Sequence, residues 1–222
     1  MNIHHHIQRQ RPYPQKLSIK AEIIFSVLIV LLGLVLGFVA KMTDSISIIG
    51  HIGTEKGVWV FAATMIAAFS RYPFSAAINV FLFFISMLFA YYMYGNFVLG
   101  FFPKSYFWGW LVVALLSPFA GFVIWFSKAD TIVGTVIASL PAGFLFAHGY
   151  PAIVSLSDSF LFARGYPALY THGLAQVVSL PMGLVCCLVL PRTVKQKGIA
   201  FAIAIPIAFI FTKLDIIRLL PF

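Results

Sequence analysis

The chain has 222 residues, 61% hydrophobic and 9% charged, with 15 Lys+Arg against 6 Asp+Glu, a net charge of +9. A soluble domain is about a quarter charged, so too few charges remain here to coat a water-facing globule, and lipid is the solvent that fits this surface. Nucleic-acid binding is excluded as the meaning of the positive charge. The bases are scattered between apolar runs, where they act as topology signals and headgroup contacts.

The chain opens on a basic, proline-containing tail (residues 1–20) that carries His4, His5 and His6. Three neighbouring histidines in a tail are read as non-specific. The first apolar run, residues 21–40, is longer than the roughly 7–15 apolar residues of a secretory signal and is expected to be an uncleaved first span. Gly33 and Gly37 within it form a small-xxx-small pair suited to close helix approach. Residues 42–55 are mixed, and a loop with a short interfacial helix is expected there.

Further spans are expected at residues 56–70, which is short, and at 74–94 and 106–126. In the last of these, Trp108 and Trp110 lie about 25 Å from Trp125 at helical rise, close to the separation of two aromatic belts. Spans at 131–148, 168–190 and 198–216 complete the series. The fold class is therefore all-α, a single polytopic transmembrane helical bundle over residues 21–222 with about seven spans. Six would follow if the short second run does not cross. Eight would require residues 152–163 to cross, against Asp158 at their centre. With the N-terminus cytoplasmic, nine bases fall inside and six outside, in the direction of the positive-inside rule.

Phe144-Leu-Phe-Ala-His-Gly-Tyr-Pro-Ala152 recurs as Phe160-Leu-Phe-Ala-Arg-Gly-Tyr-Pro-Ala168, read as a local tandem duplication. Ser139-Leu-Pro-Ala-Gly143 echoes Ser179-Leu-Pro-Met-Gly183 at a different offset. No whole-bundle repeat follows. Pro118, Pro141, Pro181 and Pro206 each fall inside one of the last four spans, where a proline kinks a helix and frees a carbonyl.

Catalytic signatures are scarce. There is no His-Glu-x-x-His, no Gly-x-Ser-x-Gly and no glycine-rich phosphate loop, and Glu22 and Glu55 lie at span edges. Neither a cofactor nor a metal is expected, and an enzyme has little support. The adjacent Cys186 and Cys187 are expected as reduced thiols in a helix. Polar groups near the outer ends of spans 5 and 6 are the candidate site. His148, His172 and Gln176, with Asp158 and Arg164 in the connection between those spans, are expected to converge into an outward-facing pocket for a small polar or anionic solute. Arg164 supplies the cation there, and the imidazoles donate or accept. Asn79 could line a path, though a lone amide more often joins two helices.

Arg71-Tyr-Pro-Phe-Ser-Ala-Ala-Ile-Asn-Val-Phe-Leu-Phe-Phe84, Phe101-Phe-Pro-Lys-Ser-Tyr106, Ser117-Pro-Phe119 and Trp125-Phe-Ser-Lys128 together resemble an uncharacterised family of small polytopic membrane proteins from Gram-positive bacteria. The resemblance covers about a quarter of the chain. It implies a bacterial cytoplasmic-membrane location and no mechanism. The expected function is a small-solute permease or the membrane subunit of a transporter. The alternative is a non-catalytic structural or regulatory protein. Expected partners are the lipid bilayer, the solute, and a membrane-protein partner or further copies of the chain.

Overall fold

The computed structural model describes residues 19–44, 46, 50, 53, 55–157 and 175–214. Among them are seven α-helices: α1 (Ile19–Thr43), α2 (Lys56–Phe69), α3 (Pro73–Phe97), α4 (Lys104–Trp125), α5 (Ile132–Ser157), α6 (Ser179–Val189) and α7 (Val194–Lys213). A single 3-10 turn, Phe126–Lys128, follows α4. The all-α expectation holds, and no strand occurs among the described residues.

Five helices are long and apolar enough to cross a membrane: α1, α3, α4 with its 3-10 turn, α5 and α7. Their outward faces are built for lipid. Val27, Leu31 and Val35 on α1, Leu115 and Phe119 on α4, and Ile205 and Phe209 on α7 are all exposed, far more apolar surface than a water-soluble monomer tolerates. The chain is therefore a membrane-embedded helical protein.

The count of seven spans is corrected. The second run forms a helix of 14 residues, about 21 Å long at about 1.5 Å per residue, short of a hydrocarbon core about 30 Å thick. In the sixth run the described residues form an apolar helix over Ala175–Val189 with a turn at Val178. Among the described residues both runs are shorter than the five long helices, so five helices, not seven, are long enough to cross by themselves. Pro181 lies three residues after the turn at Val178, within the helical run Ala175–Val189. Pro118, Pro141 and Pro206 are interior as expected, and α5 holds a second interior proline, Pro151.

α5 does not end at His148. It continues to Ser157, through the Gly-Tyr-Pro sequence that reads as a stop in water. Inside lipid no solvent replaces a lost backbone hydrogen bond, so the helix runs on through its proline. α7 likewise starts earlier than expected. Thr193 caps it, accepting from the Gln196 N–H, while the Gln196 side chain accepts from the Thr193 N–H. This is a reciprocal capping box. Gln196 also donates to the Ala129 carbonyl at 3.4 Å, tying the starts of α5 and α7 together.

The helices form two comparable groups. α1 and α3 pack directly and run in the same direction, because contacts climb together: Ser26 with Asn79, Gly33 with Phe83 and Ser86, Gly37 with Met87, Asp44 with Tyr91. α5 and α7 do the same, from Gln196 with Ala129 to Gly143 with Ala204 and Ile207. Each parallel pair has a short return helix between its members in sequence, α2 in the first and α6 in the second. α4 joins the groups. The end where α1, α3, α5 and α7 finish is called the far end below.

Gly33 and Gly37 face α3, as their spacing predicts. Trp125 Nε1 donates to the Ser70 carbonyl at 2.9 Å, and Asn79, fully buried, receives the Ser26 hydroxyl at 2.7 Å and donates to Ser70 Oγ at 3.1 Å. Lys128 Nζ lies 3.4 Å from the Phe69 ring centroid. Together Ser70, Asn79, Trp125 and Lys128 form the joint of α1, α2, α3 and α4 at the near end.

Candidate functional site

The short helices place the site. The start of α2 at Lys56 lies against Ser179, just after the turn at Val178, within the bundle. A Cβ on Gly57 would overlap Ser179 Oγ and lie 3.3 Å from His148 Nδ1. Only glycine lets the first turn of α2 come this close. His148 reaches the same point from α5, about 24 Å along that helix from Ile132 and about 13 Å short of its end at Ser157. The junction is thus recessed below the far end.

Three polar side chains meet there. Glu55, the residue before α2, turns its carboxylate away from its own helix. Its Oε2 lies 3.2 Å from His148 Nε2. The other ring nitrogen, Nδ1, is 3.0 Å from Ser179 Oγ. Glu55 is 5% exposed, His148 4% and Ser179 1%. Phe144, one turn earlier on α5, stacks on the imidazole at 6.1 Å between centroids. With Nε2 protonated, the imidazole donates to the carboxylate and accepts the serine hydroxyl. In that state each ring nitrogen has a partner.

Of the residues the sequence nominates, His148 belongs to this cluster. Gln176 is half-buried in the helical turn before Ser179. Asn79 bonds Ser70 at the C-terminal end of α2, the opposite end from Glu55 and about 21 Å away along that helix. It is not part of the same site and joins helices. Asp158, Arg164 and His172, like the second copy of the Gly-Tyr-Pro duplication, lie outside the described residues. No group of three or more metal-ligating side chains occurs among the described residues.

Sequence reasoning missed Glu55 and Ser179. Glu55 reads as an ordinary span-edge carboxylate, and Ser179 as half of a Ser-Leu-Pro echo. The available signal was the brevity of the apolar run after Glu55.

Beside the cluster at the far end is a cavity of ≈ 340 Å³, lined by Lys56, Trp59, Tyr91, Tyr92, Tyr106 and Trp110, with Met87 and Leu88 among its walls. Glu55 and Lys56 are sequence neighbours: the carboxylate faces His148, and the lysine is among the residues that line this cavity. Two larger clefts, ≈ 840 Å³ between α1 and α3 and ≈ 560 Å³ along α5, α6 and α7, are walled by exposed apolar side chains such as Ile23, Phe74 and Phe209. They are lipid-facing grooves.

The order Ser179–His148–Glu55 is also the order of a nucleophile, base and orienting acid. Ser179 Oγ is packed against Gly57 and lines none of the three cavities above. The chain matches no protein-family model, no curated protein and no solved structure.

Proposed function

We propose that the protein is a small-solute permease, or the membrane subunit of one, in a bacterial cytoplasmic membrane, with its N-terminus inside the cell. One observation carries the reading. A buried Glu55–His148–Ser179 cluster joins α2, α5 and α6 inside an apolar helical bundle. Ionisable groups held there are costly and mark pathways more often than they stabilise a fold. The location and orientation rest on the family resemblance and on the bias of the bases.

Ser179 supplies the test, because it is fully buried in this conformation. Cys186 and Cys187 are first replaced by alanine, and Ser179→Cys is then exposed to a membrane-impermeant thiol reagent. The reagent is applied to right-side-out and to inside-out vesicles. Slow labelling from both faces is expected, since a permease opens its central site to each side in turn. Labelling from neither face would show a closed structural core and leave the structural or regulatory reading. Covalent capture of wild-type Ser179 by a fluorophosphonate would instead make the cluster a hydrolase.

Orientation is read in the same cysteine-free background. Asn96 in the last turn of α3 and Lys195 at the start of α7 are both exposed. Asn96→Cys is expected to label in intact cells and Lys195→Cys only in inside-out vesicles. The opposite pattern inverts the topology.

A further inference from the structure

We infer that the far-end cavity is a binding site for an uncharged, planar molecule of one or two rings that presents a carbonyl oxygen to the Tyr92 hydroxyl. The inference goes beyond the permease reading and stands on the cavity alone.

The volume of ≈ 340 Å³ is at the small end of the roughly 300–1,000 Å³ of ligand pockets, enough for one or two rings. Trp59 and Tyr92 in the wall are 5% and 3% exposed, whereas Tyr106 and Phe101 are mostly exposed. An interfacial belt would turn its rings toward headgroups; Trp59 and Tyr92 are enclosed by protein. Both are also held in place. Tyr92 packs edge-on against Phe107 at 5.1 Å and against Tyr91 at 5.2 Å. Trp59 leans on Phe83 at 6.3 Å. A rigid slot of rings favours a flat ligand over a flexible chain, because offset and edge-on ring contacts reward planarity.

The carbonyl follows from Tyr92. Its hydroxyl makes no hydrogen bond among the described residues, although the side chain is almost wholly buried. The oxygen is not sealed in by protein, and Tyr92 lines the cavity. Its neighbour differs: the Tyr91 hydroxyl donates to Asp44 at 2.9 Å, and Asp44 is paired with Lys41 at 2.7 Å. Tyr92 therefore has a proton to give to whatever fills the slot, and a buried hydroxyl is costly to leave without a partner. A carbonyl conjugated with a ring keeps its lone pairs in the ring plane, so a flat ligand accepts this proton without tilting out of the slot.

No ionic partner is offered. Lys56 belongs to the wall, but its charge interacts with the neighbouring Glu55 carboxylate, and the recognition does not use it. No carboxylate lines the cavity among the described residues. An ion taken out of water here would lack a counter-charge, whereas a hydrogen-bonded carbonyl needs none.

The test is saturable binding, by equilibrium dialysis, to the full chain in lipid nanodiscs, with empty nanodiscs subtracted to remove partition into lipid. The main probe is coumarin, a neutral two-ring carbonyl compound. Decan-2-one has the carbonyl on a flexible chain, coumarin-3-carboxylate adds a negative charge, and tetramethylammonium tests whether the rings instead hold a cation. Coumarin is expected to saturate and the other three are not. No saturable coumarin binding, or tighter binding of any of the three, overturns the inference.

Tyr92→Phe removes only the hydroxyl. It is expected to weaken coumarin at least about threefold, the low end for one neutral hydrogen bond, and to leave naphthalene, which has no acceptor, unchanged. An unchanged coumarin affinity, as when water alone answers the hydroxyl, overturns the assignment, and so does an equal loss for naphthalene. If the variant yields no folded protein, the wild-type series decides by itself. Binding needs no translocation, so failure here leaves the Ser179 labelling result standing, and the reverse holds equally.

Discussion

Replacing Gly33 and Gly37 together with leucine is expected to abolish recovery of folded, monodisperse protein. The geometry is severe because the obstacles are backbone. A Cβ at Gly37 would overlap the Met87 carbonyl oxygen and lie 2.9 Å from its carbonyl carbon and 3.0 Å from its Cα. At Gly33 it would overlap Ser86 Oγ and lie 2.6 Å from the Phe83 carbonyl oxygen. The serine hydroxyl can rotate away. The carbonyls cannot, so α1 must lift from α3 along its length. That separation also breaks the Ser26–Asn79 bond and the Asp44–Tyr91 bond on either side. Overpacking costs about 1–3 kcal/mol where side chains can yield, and Gly37→Leu alone is expected to exceed about 3 kcal/mol because they cannot. Leu31→Ala, on the lipid face of the same helix, is the control and should leave the melting temperature nearly unchanged. An unaltered elution profile and melting temperature for the double variant would mean that α1 does not pack against α3 in this way.

Much of this interface was legible in the sequence, because a glycine pair four residues apart in an apolar run has few other uses. The helical class and the positions of the five long helices were legible for a related reason: apolar length alone determines what crosses lipid. The two short helices were not. Lys56–Phe69 and Ser179–Val189 are as apolar as the long helices, and what marks them is the buried polar cluster they share with α5. That depends on contacts among Glu55, His148 and Ser179, residues far apart in the chain, and no periodicity encodes such a distance. His148 was legible as an unusual polar group in an apolar run. Its partners were not, since a carboxylate at a helix edge and a serine near a proline are ordinary there. Asn79 shows the reverse case: a lone amide in a span suggests a path, and the surrounding Ser26, Ser70 and Ser75 make it a clasp.

Glu55 and His148 should prove strongly coupled, and the charge between them should matter more to function than to folding. Glu55→Leu leaves a buried imidazole without its acceptor, and His148→Leu leaves a buried carboxylate without its donor. Removing one member of such a pair costs about 3–5 kcal/mol, chiefly through the stranded partner. Glu55→Leu combined with His148→Leu strands neither group. The double variant is expected to be more stable than either single one, with a coupling of about 2 kcal/mol or more in the cycle. Additive losses would mean that the 3.2 Å contact contributes nothing. Glu55→Gln then separates fold from function. The glutamine oxygen can still accept from His148 Nε2, so the melting temperature should fall by no more than a few degrees. What disappears is the negative charge, which the proposed permease would need if the pair takes part in its cycle. In the Ser179→Cys background, Glu55→Gln is therefore expected to confine labelling to one face of the membrane. If the glutamine variant labels from both faces as readily as its parent, the carboxylate is a structural hydrogen-bond acceptor, and the charge has no part in the cycle.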